Sequence, residues 1–174
     1  MRANERMLRA LARVSAFTTL RVARRFAPVL GAGILREGGC VYLAYCRART
    51  ALPAGLSGLD ETGRECWVNS VYVEDWYRTH VLLAALMLSD AVFALWEKQQ
   101  DRRDGLVCMI SKSRMAASTR QAVVWKMHRH RHRHRHRPGH DWLAEDLSGY
   151  DDAVLELTSR ADIAFVKERL CLRA

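Results

Sequence analysis

The sequence predicts an α+β fold of one domain, with about five mostly antiparallel strands packed on a buried central helix and a C-terminal helix. Three observations predict it. Between Val81 and Trp96 only Ser89 and Asp90 are polar, and a helix that is apolar all round needs cover on every side. Short apolar runs bounded by glycine, proline and polar clusters stand on both sides of that stretch, as strands do. The chain has 174 residues, 49% of them hydrophobic, which suffices for one substantial core.

Residues 1–35 read as an amphipathic basic N-terminal segment and residues 36–174 as the domain. At 100° per residue Arg2, Arg6, Arg9 and Arg13 fall on one narrow face, with Met7, Leu8, Leu11 and Val14 opposite. Such a start fits a docked surface helix, an organelle-targeting sequence or a helix lying on a membrane surface. Gly31-Ala-Gly33 and Gly38-Gly39 bracket Ile34 to Glu37 and mark loops. Cys40 to Arg49 reads as a strand, with Val41, Leu43 and Tyr45 on one face, and residues 50–63 as a loop.

The organising stretch runs from Cys66 to Gln100. Alternation puts Trp67, Val71 and Val73 on one face of an extended chain and Val68, Tyr72 and Trp76 on the other, which predicts an interior strand covered on both sides. Asn69 and Ser70 are expected to satisfy backbone groups nearby. Glu74 and Asp75 are expected at the positive end of the following helix. That helix, Arg78 to about Gln100, is shorter in its apolar part than a bilayer requires and holds Asp90 inside it. Gly105 reads as its stop signal.

Leu106 to Ile110 and Ala122 to Met127 read as a strand pair joined by a basic loop over residues 111–120. Five His-Arg repeats follow, an insertion over residues 128–137. Continued as a strand, the row Val123, Trp125, Met127 would become Arg129, Arg131, Arg133, Arg135 and Arg137, so the tract is expected to leave the core. It fits a tolerated repeat expansion or a polyanion contact through those five arginines. His128, His130, His132, His134 and His136 can capture a metal adventitiously, but no spacing specifies a closed site.

Beyond Pro138-Gly139 the charge reverses. Asp141, Glu145, Asp146, Asp151, Asp152 and Glu156 lie within sixteen residues that hold no Lys or Arg. Asp141, Glu145, Asp146, Asp151 and Asp152 are the candidate partner-binding residues, since clustered carboxylates steer association with a basic surface. Ala153 to Leu157 reads as a short strand. Ser159 and Asp162 form a capping box for the closing helix, with Ile163, Phe165, Val166 and Leu170 as its apolar contacts.

The net charge of +9 is local. Residues 1–25 carry +6 and the repeat tract +5, which leaves the remainder of the chain at −2. Five cysteines without a CxxC pair read as buried free thiols in a reducing, cytoplasmic setting. His80 reads as structural, and His140 beside Asp141 follows a turn that preorganises nothing. No nucleophile elbow, zinc-protease or phosphate-loop motif occurs, so neither an enzyme nor a bound cofactor is expected.

Trp67-Val-Asn-Ser-Val-Tyr-Val-Glu-Asp-Trp76 with its following apolar helix, and Asp162-Ile-Ala-Phe-Val-Lys-Glu-Arg169, resemble small bacterial immunity proteins of polymorphic-toxin and contact-dependent inhibition systems. The resemblance implies a non-catalytic protein-binding module that neutralises a cognate toxin. The alternative expectation is a nucleic-acid-associated protein that uses the basic N-terminal helix and the His-Arg tract.

Overall fold

A computed structural model describes residues 1–14, 22–51, 58–99, 105–114, 121–130 and 147–171. In chain order the elements are β1 (Arg2–Ala3), α1 (Glu5–Leu11), α2 (Val22–Arg25), α3 (Ala27–Gly31), β2 (Ile34–Glu37), β3 (Cys40–Leu43), α4 (Ala44–Arg49) and α5 (Glu61–Val68). There follow β4 (Val71–Tyr72), α6 (Val81–Glu97), β5 (Gly105–Arg114), β6 (Gln121–His130), β7 (Ala153–Leu157) and α7 (Arg160–Cys171). The main sheet has five strands in the order β1-β7-β5-β6-β4, every neighbouring pair antiparallel, and β2 and β3 form a separate hairpin. The expected α+β domain is therefore present.

One face of the sheet carries the core. Register places Cys108 between Met127 and Leu157, and Ile110 between Trp125 and Leu155, and all six side chains are fully buried. Helix α6 lies on this face, where Trp125 Nε1 donates to Ser89 Oγ at 2.9 Å while the same hydroxyl donates to Ala85 O at 3.0 Å. The helix's interior serine is thus satisfied at both ends. Its other sides meet α2, α3 and α7. Asp90 lies outward and accepts from Arg160 Nε of α7 at 2.8 Å. Among the described residues no helix is long and apolar enough to cross a membrane.

Three expectations need correction. The first concerns the segment 1–35, whose described residues, 1–14 and 22–35, are part of the domain and not an appendage. Arg2 and Ala3 pair with Glu156 and Leu155, and Met7, Leu11, Phe26 and Val29 are buried in the common core. Asn4 fixes the junction: its Oδ1 caps α1 through Met7 N at 3.0 Å and accepts from Val154 N at 3.1 Å, while its Nδ2 donates to Asp152 O at 2.8 Å. The amphipathic pattern is real, but the helix stops at Leu11 and Leu8 stays half exposed.

The second concerns Cys66 to Trp76, which is not an interior strand. Asp60 accepts from Gly63 N at 2.7 Å and starts a helix that runs to Val68, and only Val71 and Tyr72 form a strand, at the sheet's edge. Thr62, Glu65, Cys66 and Asn69 are buried at helical spacing, and two of these four are strongly polar. A pattern judged by hydrophobicity therefore misses the helix. Trp67 and Tyr72, assigned to covered faces, are both more than half exposed.

The third concerns residues 34–49. Ile34 to Glu37, between the two glycine pairs, is a strand. Gly38 and Gly39 have φ of 57° and 79°, the pair of positive angles that a two-residue type I′ hairpin requires. The strand from Cys40 ends at Leu43, and residues 44–49 turn into a helix that packs Tyr45 edge-on against Trp76 at 6.0 Å.

Residues 65–74 close the structure at its open side. On the outer edge of β6, Val123 N donates to Glu74 Oε2 at 3.1 Å, Trp125 pairs with Val71, Met127 O accepts from Asn69 Nδ2 at 3.0 Å, and Arg129 N donates to Glu65 Oε2 at 2.9 Å. A two-residue strand with polar side chains on either side of it thus serves the edge at Val123, Trp125, Met127 and Arg129. The same side chains hold the hairpin: Glu65 Oε1 accepts from Val41 N at 2.7 Å, and Asn69 accepts from Leu43 N at 2.9 Å and donates to Val41 O at 2.9 Å. Asn69 fulfils its expected role. Glu74 does not: it serves the β6 edge from a short 3-10 turn over Val73–Asp75, and α6 begins only at Val81 with no acidic residue in its first turn. At the other end of the chain, Ser159 Oγ accepts from Asp162 N and Asp162 Oδ2 accepts from Ser159 N, both within 3.3 Å, so the capping box forms.

Candidate interaction groove

Helix α1 presents its polar side at the end of the sheet where β5 and β7 meet. Arg6, Arg9 and Arg13 follow at intervals of three and four residues, which aligns them in one stripe. Burial of Met7 and Leu11 on the opposite side fixes that orientation. The β5 residues Lys112 and Ser113 and the residues Asp151, Asp152 and Ala153 at the start of β7 complete an open groove of about 460 Å³. Lys112 pairs across the sheet with Ala153, which brings the amine to the same end as the helix.

Charges of both signs line this groove. Arg6 donates to the Asp151 backbone carbonyl and its guanidinium lies 3.6 Å from the Asp151 carboxylate. Arg9 donates to Glu5 one turn earlier at 3.0 Å. The Asp151 side chain is fully exposed. Arg13 meets no carboxylate among the described residues. These pairs are solvent-exposed and contribute little to stability, under about 1 kcal/mol each. What they determine is the sign pattern that an approaching molecule meets.

The candidate residues divide sharply. Of the acidic set, Asp151 and Asp152 lie in the groove, whereas Asp141, Glu145 and Asp146 are outside the described residues. Of the arginine set, Arg129 is part of β6, its amide held by Glu65. Arg131, Arg133, Arg135 and Arg137 are outside the described residues. His128 and His130 also lie in β6, opposite Val107 and Gly105, so the tract does not leave the sheet at its first residue. His132, His134 and His136 are outside the described residues, and no group of three metal-ligating side chains comes together among those described.

Position separates the two basic segments. Lys112 marks the α1 end of β5, and Gly105, paired with His130, marks the other end. Seven residues of strand put them about 23 Å apart. Lys112 is the groove residue that sequence reasoning missed, because Ser111 to Arg120 reads as a loop. The polar run Ser111, Lys112 and Ser113 shows no apolar alternation to mark it as extended, yet the strand continues to Arg114.

Cys40, Cys46, Cys66 and Cys108 are buried and unbridged. Burial pushes the Cys46 thiol up to about 11 and raises Cys108 as well, so neither supplies a thiolate at neutral pH.

A family model matches residues 2–167, from the first strand almost to the end of the last helix. The chain belongs to the uncharacterized protein PM0498 family. In this PM0498-family chain the matched span takes in α1, the groove, the 65–74 closure and the repeat tract together. No curated protein and no solved structure matches it.

Proposed function

We propose that the chain is a non-catalytic protein-binding module, an immunity protein that neutralises a cognate toxin. The observation that supports this reading best is the interleaving of carboxylates with the arginines of α1, with Asp151 against Arg6 and Glu5 against Arg9. A protein partner can oppose each sign with its complement, and such complementarity fixes register and speeds encounter. A polyphosphate backbone is repelled by the carboxylates wherever it crosses them. A nucleic-acid reading also asks the α1 arginines and the His-Arg tract to act together, yet β5 separates their points of attachment by most of its length.

Affinity purification of the full chain from its native cells tests this. A single stoichiometric protein should co-elute, arrest growth when expressed alone, and be harmless when this chain is co-expressed. Asp151→Arg combined with Asp152→Lys should weaken that complex about tenfold, mainly through slower association. Co-elution of nucleic acid with a steep salt dependence, and no protein, would refute the proposal.

A further inference from the structure

The partner's contacting element follows from the groove's own geometry, and this inference rests on the protein-binding reading above. Arg6 and Arg9 are separated along the α1 axis by about 4.5 Å, and Arg13 stands past Leu11 in a tighter turn closed by Arg13 N donating to Ala10 O, about 6–7 Å further on. Carboxylates at alternate positions of an extended peptide repeat at about 6.6 Å, so a strand-like acidic segment can place one carboxylate against each of two successive guanidiniums. Lys112 stands at the sheet side of the groove, and Arg13 lines it with no described carboxylate in ion-pair distance. Arg9 is already paired with Glu5 on its own helix, and Arg6 with Asp151.

We infer that the groove between α1 and the β5–β7 end of the sheet binds an extended acidic segment of a protein partner, read by Arg9, Arg13 and Lys112. Asp151 and Asp152 on the opposite wall select against chains that carry charge at every unit. A peptide can set a neutral or basic residue opposite them, and a phosphodiester cannot. The Asp151 carboxylate competes with an incoming carboxylate for Arg6. For an acidic segment that sets nothing basic against Asp151, such as an alternating Glu and Ser peptide, removing that competitor should tighten binding, a result that a merely structural role for Asp151 does not produce. The cognate partner sets basic groups against Asp151 and Asp152 and loses affinity when their charge is reversed.

The probe is a fluorescein-labelled octapeptide alternating Glu and Ser, titrated by anisotropy into the full chain and into a full chain carrying Ser in place of Arg131, Arg133, Arg135 and Arg137. Binding should persist in the tract variant, fall about tenfold in Arg9→Ala/Arg13→Ala and rise about threefold in Asp151→Asn. All three changed side chains are exposed, so folding should be retained, with circular dichroism as the check. Binding that survives Arg9→Ala/Arg13→Ala, that is lost in the tract variant, or that an oligothymidylate of equal charge matches through the same residues would overturn the inference. If the peptide fails while the co-purified protein still binds and responds to Asp151→Arg/Asp152→Lys, this inference falls and the module reading stands. Failure of both removes the reading itself.

Discussion

Asn69→Ala is expected to lower the unfolding free energy by about 3 to 4 kcal/mol. The carboxamide is fully buried and meets three backbone groups, Leu43 N, Val41 O and Met127 O, on two different strands. Each buried group left without a partner costs about 1–3 kcal/mol, and water entering the vacated space recovers part of the sum. Asn69→Asp separates volume from hydrogen bonding. It keeps the acceptor for Leu43 N but turns a carboxylate oxygen toward two carbonyls, so at neutral pH it should be at least as damaging as alanine despite its matched size. Urea titration of the three proteins measures this, with a lower midpoint and an unchanged slope as the expected signature. An Asn69→Asp protein as stable as wild type would mean that the two contacts donated by Nδ2 contribute nothing.

Trp125→Ala is expected to cost about 4 kcal/mol, in the range for deleting a large aromatic side chain from a packed interior. Trp125 is fully buried on the sheet face that α6 covers, and its indole nitrogen donates to Ser89. The substitution therefore opens a cavity and removes one partner from the Ser89 hydroxyl, which keeps its bond to Ala85 O. Trp125→Phe should cost about half as much, because most of the volume remains. A folded domain is typically stable by about 5–15 kcal/mol, so either alanine variant consumes a large share of the total. Thermal unfolding followed by circular dichroism gives the ranking, and equal stability of the alanine and phenylalanine variants would contradict it.

The parts that were legible in the sequence are those written in apolar periodicity. Val81 to Trp96 reads as a buried helix because only Ser89 and Asp90 interrupt it, and two polar residues do not mask the apolar pattern of the other fourteen, although one bonds Trp125 and the other Arg160. The β5–β6 pair and the short β7 were visible as apolar runs, and the Ser159–Asp162 cap as a spacing. The stretch from Glu61 to Tyr72 was not legible in the same way. Its helix buries Glu65 and Asn69 as deeply as Cys66, and their acceptor and donor partners lie 24 to 64 residues away in sequence. Local pattern carries no record of contacts at that separation.

The groove was half legible. The alignment of Arg6, Arg9 and Arg13 followed from helical geometry, and Asp151 and Asp152 stood out in an acidic run. That these two sets face each other depends on β1 joining β7 through Arg2 and Ala3. A two-residue strand at the start of the chain gives no alternation to detect, which is also why residues 1–35 resembled an attachment.

The central claim is that residues 65–74 bind the β2–β3 hairpin and the outer edge of β6 into one cooperative body. Native-state hydrogen exchange across low urea concentrations tests it most directly, read at the amides of Val41, Leu43, Val123 and Arg129, whose acceptors are the side chains of Glu65, Asn69 and Glu74. Exchange of all four should become strongly urea-dependent and merge with that of the α6 amides, which open only with the whole fold. Urea-independent exchange at these four positions, far faster than in α6, would show that the closure opens by itself and would contradict the account.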